Sequence, residues 1–287
     1  MPRSSRGLLA LAATVPLLAG CGAVDAGGAD GTAVVASFYP LEYVAERVAG
    51  EHAEVTGLVA PGQEPHDLEL SFEQTAEVAE ADVVLFSRGL QPAVDDAVDQ
   101  SSSEHVVDGS EVTEDGDPHF WLDPTRLSSV AAQFAEAVAA ADPDHEAAYA
   151  ENLAALQRDL DTLDTEFEKG LGSCARDTVV VSHDAFGYLG ARYGLDLRPI
   201  SGLSPDAEPS PAHLAELADL IESEGVTTVF SETLASPELA DSLAGDLGLE
   251  TAVLDPVEGL GEETQDDDYL SLMRANLAAL RKANDCS

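Results

Sequence analysis

The 287-residue chain is poor in aromatic and basic residues. It contains one tryptophan, and aromatic residues make up 5% of the sequence, so a broad aromatic binding surface is not expected. Lysine and arginine together number 13 against 55 aspartate and glutamate residues, which gives a formal net charge of −42. This balance argues against binding to nucleic acid or to an anionic lipid surface, and it is typical of a solvated acidic exterior. The length allows one large or two medium globular domains.

The N-terminus has no apolar run long enough to cross a membrane, but it has the features of a secretion signal. Arg3 and Arg6 precede the short apolar stretch 7–18. The stretch ends in Leu-Ala-Gly-Cys at Cys21, which resembles the bacterial lipobox, where cleavage precedes a cysteine that is then lipidated. An ordinary cleaved signal is the alternative. The predicted segments are a signal peptide at 1–20 and a flexible tether at 21–31 that begins with the lipidated Cys21.

Cysteine is scarce, because only Cys174 and Cys286 remain beyond Cys21. No CxxC pair is present, so a metal site built on cysteine is disfavoured. Two cysteines in an exported protein favour one disulfide, with two free thiols as the alternative. Closing a loop of about 110 residues would stabilise the fold by roughly 4–5 kcal/mol.

From residue 33 onward, short apolar runs alternate with amphipathic segments. The run 83–86 is typical of a buried parallel strand, and the segment 71–81 begins with a capping-box pattern. Residues 143–170 predict one helix about 40 Å long, with Asp142 as its N-cap. The alternation indicates an α/β protein with two lobes, each a parallel β-sheet flanked by helices, joined by the long helix. The predicted boundaries are 32–141 for the first lobe, 142–170 for the linking helix and 171–287 for the second lobe.

Three histidines stand in distinctive segments, namely His66 in PGQEPHDLELS, His119 in DPHFWLDP and His183 in VVVSHDAFGYLG. His183 and the carboxylate Asp255, in AVLDPVEGLG, directly follow predicted strands, where parallel α/β sheets bind their ligands. Three imidazoles and a carboxylate suit a divalent transition metal, zinc first. We therefore predict a metal site in a cleft between the lobes; an ordinary surface histidine is the alternative at each position.

Further carboxylates lie beside these candidates. Asp67, Asp117 and Asp184 each adjoin one of the histidines and could orient its second ring nitrogen. Glu232, in FSETLASPELA, also follows a predicted strand. It is either a carboxylate close to the metal or a residue that caps a turn.

The segments PHDLELS, DPHFWLDP, SHDAFGYLGARYGL and LDPVEG resemble motifs of the zinc/manganese ABC-transporter solute-binding lipoproteins, the cluster A-I metal-binding proteins. The resemblance runs from about Val34 into the C-terminal helix. It implies a monomeric, extracytoplasmic protein that is anchored to the cell membrane, on its outer face or periplasmic side. Such a protein is not an enzyme, and it binds zinc between two lobes and delivers it to an ABC permease and its ATPase.

By the same resemblance, the metal ligands fall on His66, His119, His183 and Asp255. Manganese-binding members of the family have glutamate where His183 stands, so the chain resembles a zinc-type member, with manganese also possible. Many zinc-type members carry a long histidine-rich insertion before the second ligand, whereas this chain has the short acidic segment EVTEDGDP. We expect Asp255 and its loop to move when zinc enters and leaves.

Three other functions compete with zinc transport. One is a manganese or iron carrier of the same family, and another is a surface adhesin. The third is a metal-dependent hydrolase, because three histidines with an open fourth position can activate water. Asp255 as a fourth protein ligand would close that position.

Overall fold

Each half of the chain builds one four-stranded parallel sheet. The computed structural model describes residue 1 and residues 31–114 and 116–287, so the predicted signal peptide and Cys21 lie outside the described part. The strands are β1 (Thr32–Ala36), β2 (Ala53–Gly57), β3 (Val83–Phe86), β4 (His105–Asp108), β5 (Thr178–Val181), β6 (Asp196–Pro199), β7 (Thr228–Ser231) and β8 (Glu250–Val253). The strand order is β2-β1-β3-β4 in the first sheet and β6-β5-β7-β8 in the second, so both halves repeat one topology.

Helices flank both sheets, which confirms the predicted α/β class. They are α1 (Tyr39–Ala49), α2 (Phe72–Glu80), α3 (Pro92–Gln100), α4 (Pro124–Ala141), α5 (Glu146–Leu171), α6 (Gly187–Tyr193), α7 (Pro211–Glu224), α8 (Glu238–Leu247) and α9 (Tyr269–Ala283). The predicted capping box is present at the start of α2, where Ser71 and Gln74 exchange side-chain to backbone hydrogen bonds. Within the described residues, no helix combines the length and the apolar character that a membrane span needs.

Helix α5 links the two halves. Its 26 residues give a length of about 39 Å, and it contacts α1 and α4 of the first half and α9 of the second. The helical segment begins at Pro143, as predicted, but its first turn, Pro143–His145, is a 3-10 helix that runs directly into the α-helix. Asp142 stands at the predicted N-cap position, but its carboxylate makes no side-chain cap hydrogen bond and instead accepts from His145 Nδ1 at 2.6 Å and from the Tyr149 hydroxyl at 2.7 Å.

The main apolar core is continuous through both halves. Its buried members include Phe134 in α4, Val181 in β5 and Met273 in α9. Trp121 is fully buried between the halves, where its Nε1 donates to the carbonyl of Pro256 at 2.7 Å and its own carbonyl accepts from the Tyr269 hydroxyl at 2.6 Å. Residues 31–287 accordingly form one compact unit.

A disulfide joins the segment that follows α5 to the C-terminus. Cys174, just after α5, pairs with Cys286 with an S–S distance of 2.00 Å across a sequence separation of 112 residues. Backbone hydrogen bonds from Ala175 and Arg176 to the carbonyl of Asn284 accompany it. The C-terminus is therefore held against the segment that leads into β5.

Candidate metal centre

The three predicted histidines meet in one buried cluster. His66 lies in the connection between β2 and α2, His119 in the connection between β4 and α4, and His183 directly after β5. All three connections leave the carboxyl ends of parallel strands, the edge at which α/β sheets bind ligands. The Nε2 atoms of His66 and His119 are 3.4 Å apart, and all potential ligand atoms of the cluster lie within 4.8 Å of one another.

The fourth member of the cluster is Glu258, in the connection between β8 and α9. Its Oε1 lies 3.4 Å from His66 Nε2, 3.3 Å from His119 Nε2 and 3.5 Å from His183 Nε2. Four ligands at about 2.0–2.1 Å from a tetrahedral zinc ion stand about 3.3–3.4 Å from one another. The cluster therefore has the size of a zinc coordination shell.

Asp255, the carboxylate predicted from the sequence, lies outside this cluster. Its Oδ2 accepts from the Thr233 hydroxyl at 2.5 Å, and its Oδ1 accepts from the backbone N–H of Val257 at 2.7 Å. An aspartate side chain is short and readily folds back on its own turn, so Asp255 organises the backbone while the longer Glu258 reaches the histidines. Pro256 and Gly259 mark a turn around Glu258 in the sequence, but they do not say which of the two carboxylates, Asp255 or Glu258, reaches the histidines.

Two further carboxylates orient the imidazoles. Asp117 Oδ1 lies 2.7 Å from His119 Nδ1, and Glu232 Oε1 lies 2.6 Å from His183 Nδ1. Glu232 also accepts from the backbone N–H of His183 at 3.1 Å. With Nδ1 hydrogen-bonded in this way, each ring presents Nε2 to the centre of the cluster. Asp117 thus has the orienting contact expected from its sequence position, and Glu232 provides a second one.

The carboxylate and the imidazoles of the cluster shift one another's pKa values in opposite directions. Burial alone would raise the pKa of Glu258, but hydrogen bonds with the three histidines hold it well below its usual value. Burial lowers the pKa of His183, but the hydrogen bonds to Glu232 and Glu258 outweigh it and raise this pKa to about 10. The metal-free cluster therefore pairs an anionic Glu258 with protonated imidazole, and a bound cation would take the place of the proton.

Exposure is uneven around the cluster. The side chains of His119 and His183 are 0% exposed and that of Glu258 is 2% exposed, whereas that of His66 is 10% exposed. The carboxylate of Glu64 stands beside it, 4.0 Å from His66 Nε2. Solvent therefore approaches the cluster on the His66 side.

The fold and the site together define a class: a two-lobed α/β protein with a buried cluster of three histidines and one carboxylate where its lobes meet. The family model described as "Zinc-uptake complex component A periplasmic", ZnuA, matches residues 34–283. The chain therefore belongs to the ZnuA family, which confirms the resemblance indicated by the sequence motifs.

Curated relatives extend this assignment. The chain is 33% identical over 278 residues to the zinc-binding lipoprotein AdcA of Streptococcus pneumoniae, an alignment that covers 88% of this chain and 56% of AdcA. It therefore spans about half the length of that relative. It is 31% identical over 306 residues to the high-affinity zinc uptake system protein ZnuA of Bacillus subtilis, with 96% of both chains covered.

Solved structures share the fold. The Zn(II)-bound ZnuA-like domain of Streptococcus pneumoniae AdcA superposes with a TM-score of 0.76 at 33% identity, covering 88% of this chain and 98% of that domain. The laminin-binding protein Lbp of Streptococcus pyogenes superposes with a TM-score of 0.80 at 30% identity, covering 88% of this chain and 100% of that protein.

Proposed function

We propose that this protein is the extracytoplasmic zinc-binding component of an ABC importer. It captures one zinc ion between its lobes and delivers it to a membrane permease that is powered by its ATPase. The observation that carries the proposal is the position of Glu258 Oε1, 3.3–3.5 Å from three imidazole Nε2 atoms. Membership of a zinc-uptake family supports it.

The proposed zinc ligands are His66, His119, His183 and Glu258. Three nitrogens and one oxygen favour zinc, whereas manganese prefers a site richer in oxygen. Zinc is the cargo of this site, and manganese is a weaker competitor for it.

The same ligand set argues for a carrier over a hydrolase. A catalytic zinc site keeps one position open for water, whereas four protein ligands fill a tetrahedral shell. The family description as a component of an uptake complex agrees with a role in transport.

The proposal extends to the N-terminus and the lobes. Lipidation of Cys21 anchors the monomeric protein to the outer face of the membrane, and the segment 21–31 acts as a tether. The sequence divisions 32–141, 142–170 and 171–287 are the proposed lobe, linker and lobe. A Cys21→Ala variant should be found in the soluble extracytoplasmic fraction and not with the membrane.

The central experiment measures metal content and zinc affinity. Full-length protein purified without chelator should contain one zinc ion per chain, with manganese, iron and copper in lower amounts. His119→Ala and Glu258→Ala should each lose zinc, while Glu69→Ala, an exposed carboxylate outside the cluster, should keep it.

Other outcomes would change the assignment. Equal or tighter binding of manganese would make the protein a manganese or mixed carrier. Absence of stoichiometric metal, together with laminin binding that does not depend on the histidines, would favour an adhesin. In cells, deletion should impair growth under zinc limitation, and the wild-type chain but not His119→Ala should restore it.

A further inference from the structure

The residue before the proposed ligand Glu258 has an unusual backbone. Val257 has a φ of +58° and is completely buried. Left-handed backbone is rare for any residue other than glycine, and for a β-branched side chain it is a marked outlier. Among the described non-glycine residues, Asp285 near the C-terminus is the only other one with positive φ. The surroundings must therefore hold Val257 in this conformation.

Asp255 provides the contact that holds it. Its Oδ1 accepts from the backbone N–H of Val257 at 2.7 Å, and Thr233 fixes the other carboxylate oxygen at 2.5 Å. Asn276 in α9 fixes the backbone of Asp255 from both sides: its Oδ1 accepts from the Asp255 N–H at 2.8 Å, and its Nδ2 donates to the Asp255 carbonyl at 2.6 Å. Asp255 is 5% exposed and Asn276 2% exposed, so these hydrogen bonds are shielded from water.

The first half of the molecule holds the same turn at two further points. Trp121, two residues after the proposed ligand His119, donates from Nε1 to the carbonyl of Pro256 at 2.7 Å. The backbone N–H of Gly62 donates to the carbonyl of Leu260 at 2.7 Å. The Glu258 turn is therefore fixed on both sides of the ligand.

We propose that Asp255 is a positioning residue for zinc: it stabilises the left-handed conformation of Val257, which directs the Glu258 carboxylate at the three histidines. The inference rests on the proposed function, because it takes Glu258 as a zinc ligand. It reverses the expectation that Asp255 is a mobile ligand, since both of its carboxylate oxygens are engaged and its backbone is fixed by Asn276.

A double-mutant cycle on the full-length protein tests this role, with zinc affinity measured by competition with a chromophoric chelator. Asp255→Ala should weaken zinc binding by about 10- to 100-fold, the usual effect of losing support for a metal ligand. Glu258→Ala should weaken it at least as much. If Asp255 acts through Glu258, Asp255→Ala/Glu258→Ala should bind zinc no more weakly than Glu258→Ala alone.

A rescue variant separates positioning from general structural damage. Glycine adopts positive φ without steric cost, so Val257→Gly in the Asp255→Ala background should recover affinity relative to Asp255→Ala. Asp255→Asn, which keeps an acceptor oxygen, should stay close to the wild type and should fold even if Asp255→Ala does not. Cobalt(II) absorption spectra should change in the same way for Asp255→Ala and Glu258→Ala.

Asp108→Ala is the matched control. Asp108 ends β4, and its Oδ1 accepts from the N–H of Ser110, two residues on, at 2.9 Å, the same local contact without a ligand beside it. The zinc affinity of the Asp108→Ala variant should equal that of the wild type. Wild-type affinity in Asp255→Ala, or losses that multiply in the double variant, would overturn the positioning role alone. A wild-type protein that binds no zinc, or a Glu258→Ala variant with wild-type zinc affinity, would instead overturn the proposed function.

Discussion

At the residue scale, two carboxylates contact the two ring nitrogens of His183, one of the proposed zinc ligands. Glu232 Oε1 lies 2.6 Å from its Nδ1, and Glu258 Oε1 lies 3.5 Å from its Nε2. The first contact fixes the ring, and the second places a negative charge where a cation would bind. A substitution at this position therefore changes the balance of charge as well as the type of ligand atom.

We predict that His183→Glu alone weakens binding of every divalent metal, because the new carboxylate would lie beside Glu232 and Glu258. Combining it with Glu232→Gln should remove one repulsion and shift the preference towards manganese, which favours oxygen ligands. Competition titrations with both metals on the single and double variants measure this. Glu232→Gln alone is the control and should keep the preference for zinc. Unchanged selectivity in the double variant would contradict the prediction.

Zinc affinity should also depend on pH well above the usual range of histidine. Burial lowers the pKa of His183, but hydrogen bonds to Glu232 and Glu258 raise it from 6.5 to about 10, so zinc must displace a proton. Affinity should therefore rise with pH between these two values. For the metal-free fold the sign is opposite: the raised pKa stabilises it fully below pH 6.5, and this stabilisation is lost as pH rises through about 10.

Chelator competition across this pH range, with calorimetry in buffers of different ionisation enthalpy, would measure the displaced proton. Glu232→Gln removes the leading contact that raises the pKa of His183. This variant should therefore show a shallower pH dependence. An affinity that stops rising above neutral pH in the wild type would count against the protonated His183.

At the element scale, helix α5 forms ion pairs with arginines from both halves of the chain. Arg47 of α1 pairs with Asp159 at 2.6 Å, Arg192 of α6 with Asp164 at 2.6 Å, and Arg274 of α9 with Glu166 at 2.7 Å. These residues are partly exposed, so each pair contributes little free energy by itself. Together with the continuous core, they set the orientation of α5 between the two sheets.

Most of these elements could be predicted from the sequence because apolar periodicity and end signals coincide. Strand β3 spans Val83–Phe86, and helix α2 begins directly after its capping residue Ser71, as their patterns predicted. The helical segment that leads into α5 starts at the predicted residue, but the predicted side-chain cap is not formed, because the carboxylate of Asp142 accepts from His145 and Tyr149 instead. End signals alone do not reveal such a competing contact.

The site was predictable to a similar degree. The three histidines could be placed at strand ends, because the alternation of strands and helices fixes where those ends lie. The choice between Asp255 and Glu258 depends on the left-handed backbone of Val257. A valine gives no sequence signal for that conformation, which normally belongs to glycine or asparagine.

The disulfide supports a further prediction at this scale. Replacing both Cys174 and Cys286 with serine should lower the free energy of unfolding by about 4–5 kcal/mol, because the closed loop is long. Zinc affinity should be unchanged, since neither residue belongs to the metal cluster. Urea unfolding with and without reductant measures the loss, and reductant should destabilise the wild type only. Equal stability of the two proteins would contradict the prediction.

At the scale of the whole molecule, the chain carries a large excess of negative charge. With 55 acidic and 13 basic residues, a net charge of −42 remains after every possible ion pair is formed. Self-repulsion of this size destabilises the compact state, and salt screens it over distances of about 10 Å at 0.1 M. Salt also weakens the arginine pairs of α5, but those pairs are few beside the excess of carboxylates.

We therefore predict that the melting temperature rises as sodium chloride is increased from about 10 mM to about 1 M, where the screening length falls to about 3 Å. Scanning calorimetry of the metal-free protein measures this. Sucrose at matched osmolality is the control, because it separates screening from solvent exclusion. A melting temperature that falls with salt would show that the ion pairs outweigh the repulsion.

The repeated topology of the two sheets has a consequence for evolution and engineering. His66, His119, His183 and Glu258 lie on four separate connections, two from each sheet, and none of them lies within a strand. Each can therefore be exchanged while the strands keep their order and pairing. The two sheets can therefore persist while the proposed metal ligands change, but a change of metal requires matched substitutions on neighbouring connections, as for His183 after β5 and Glu232 after β7.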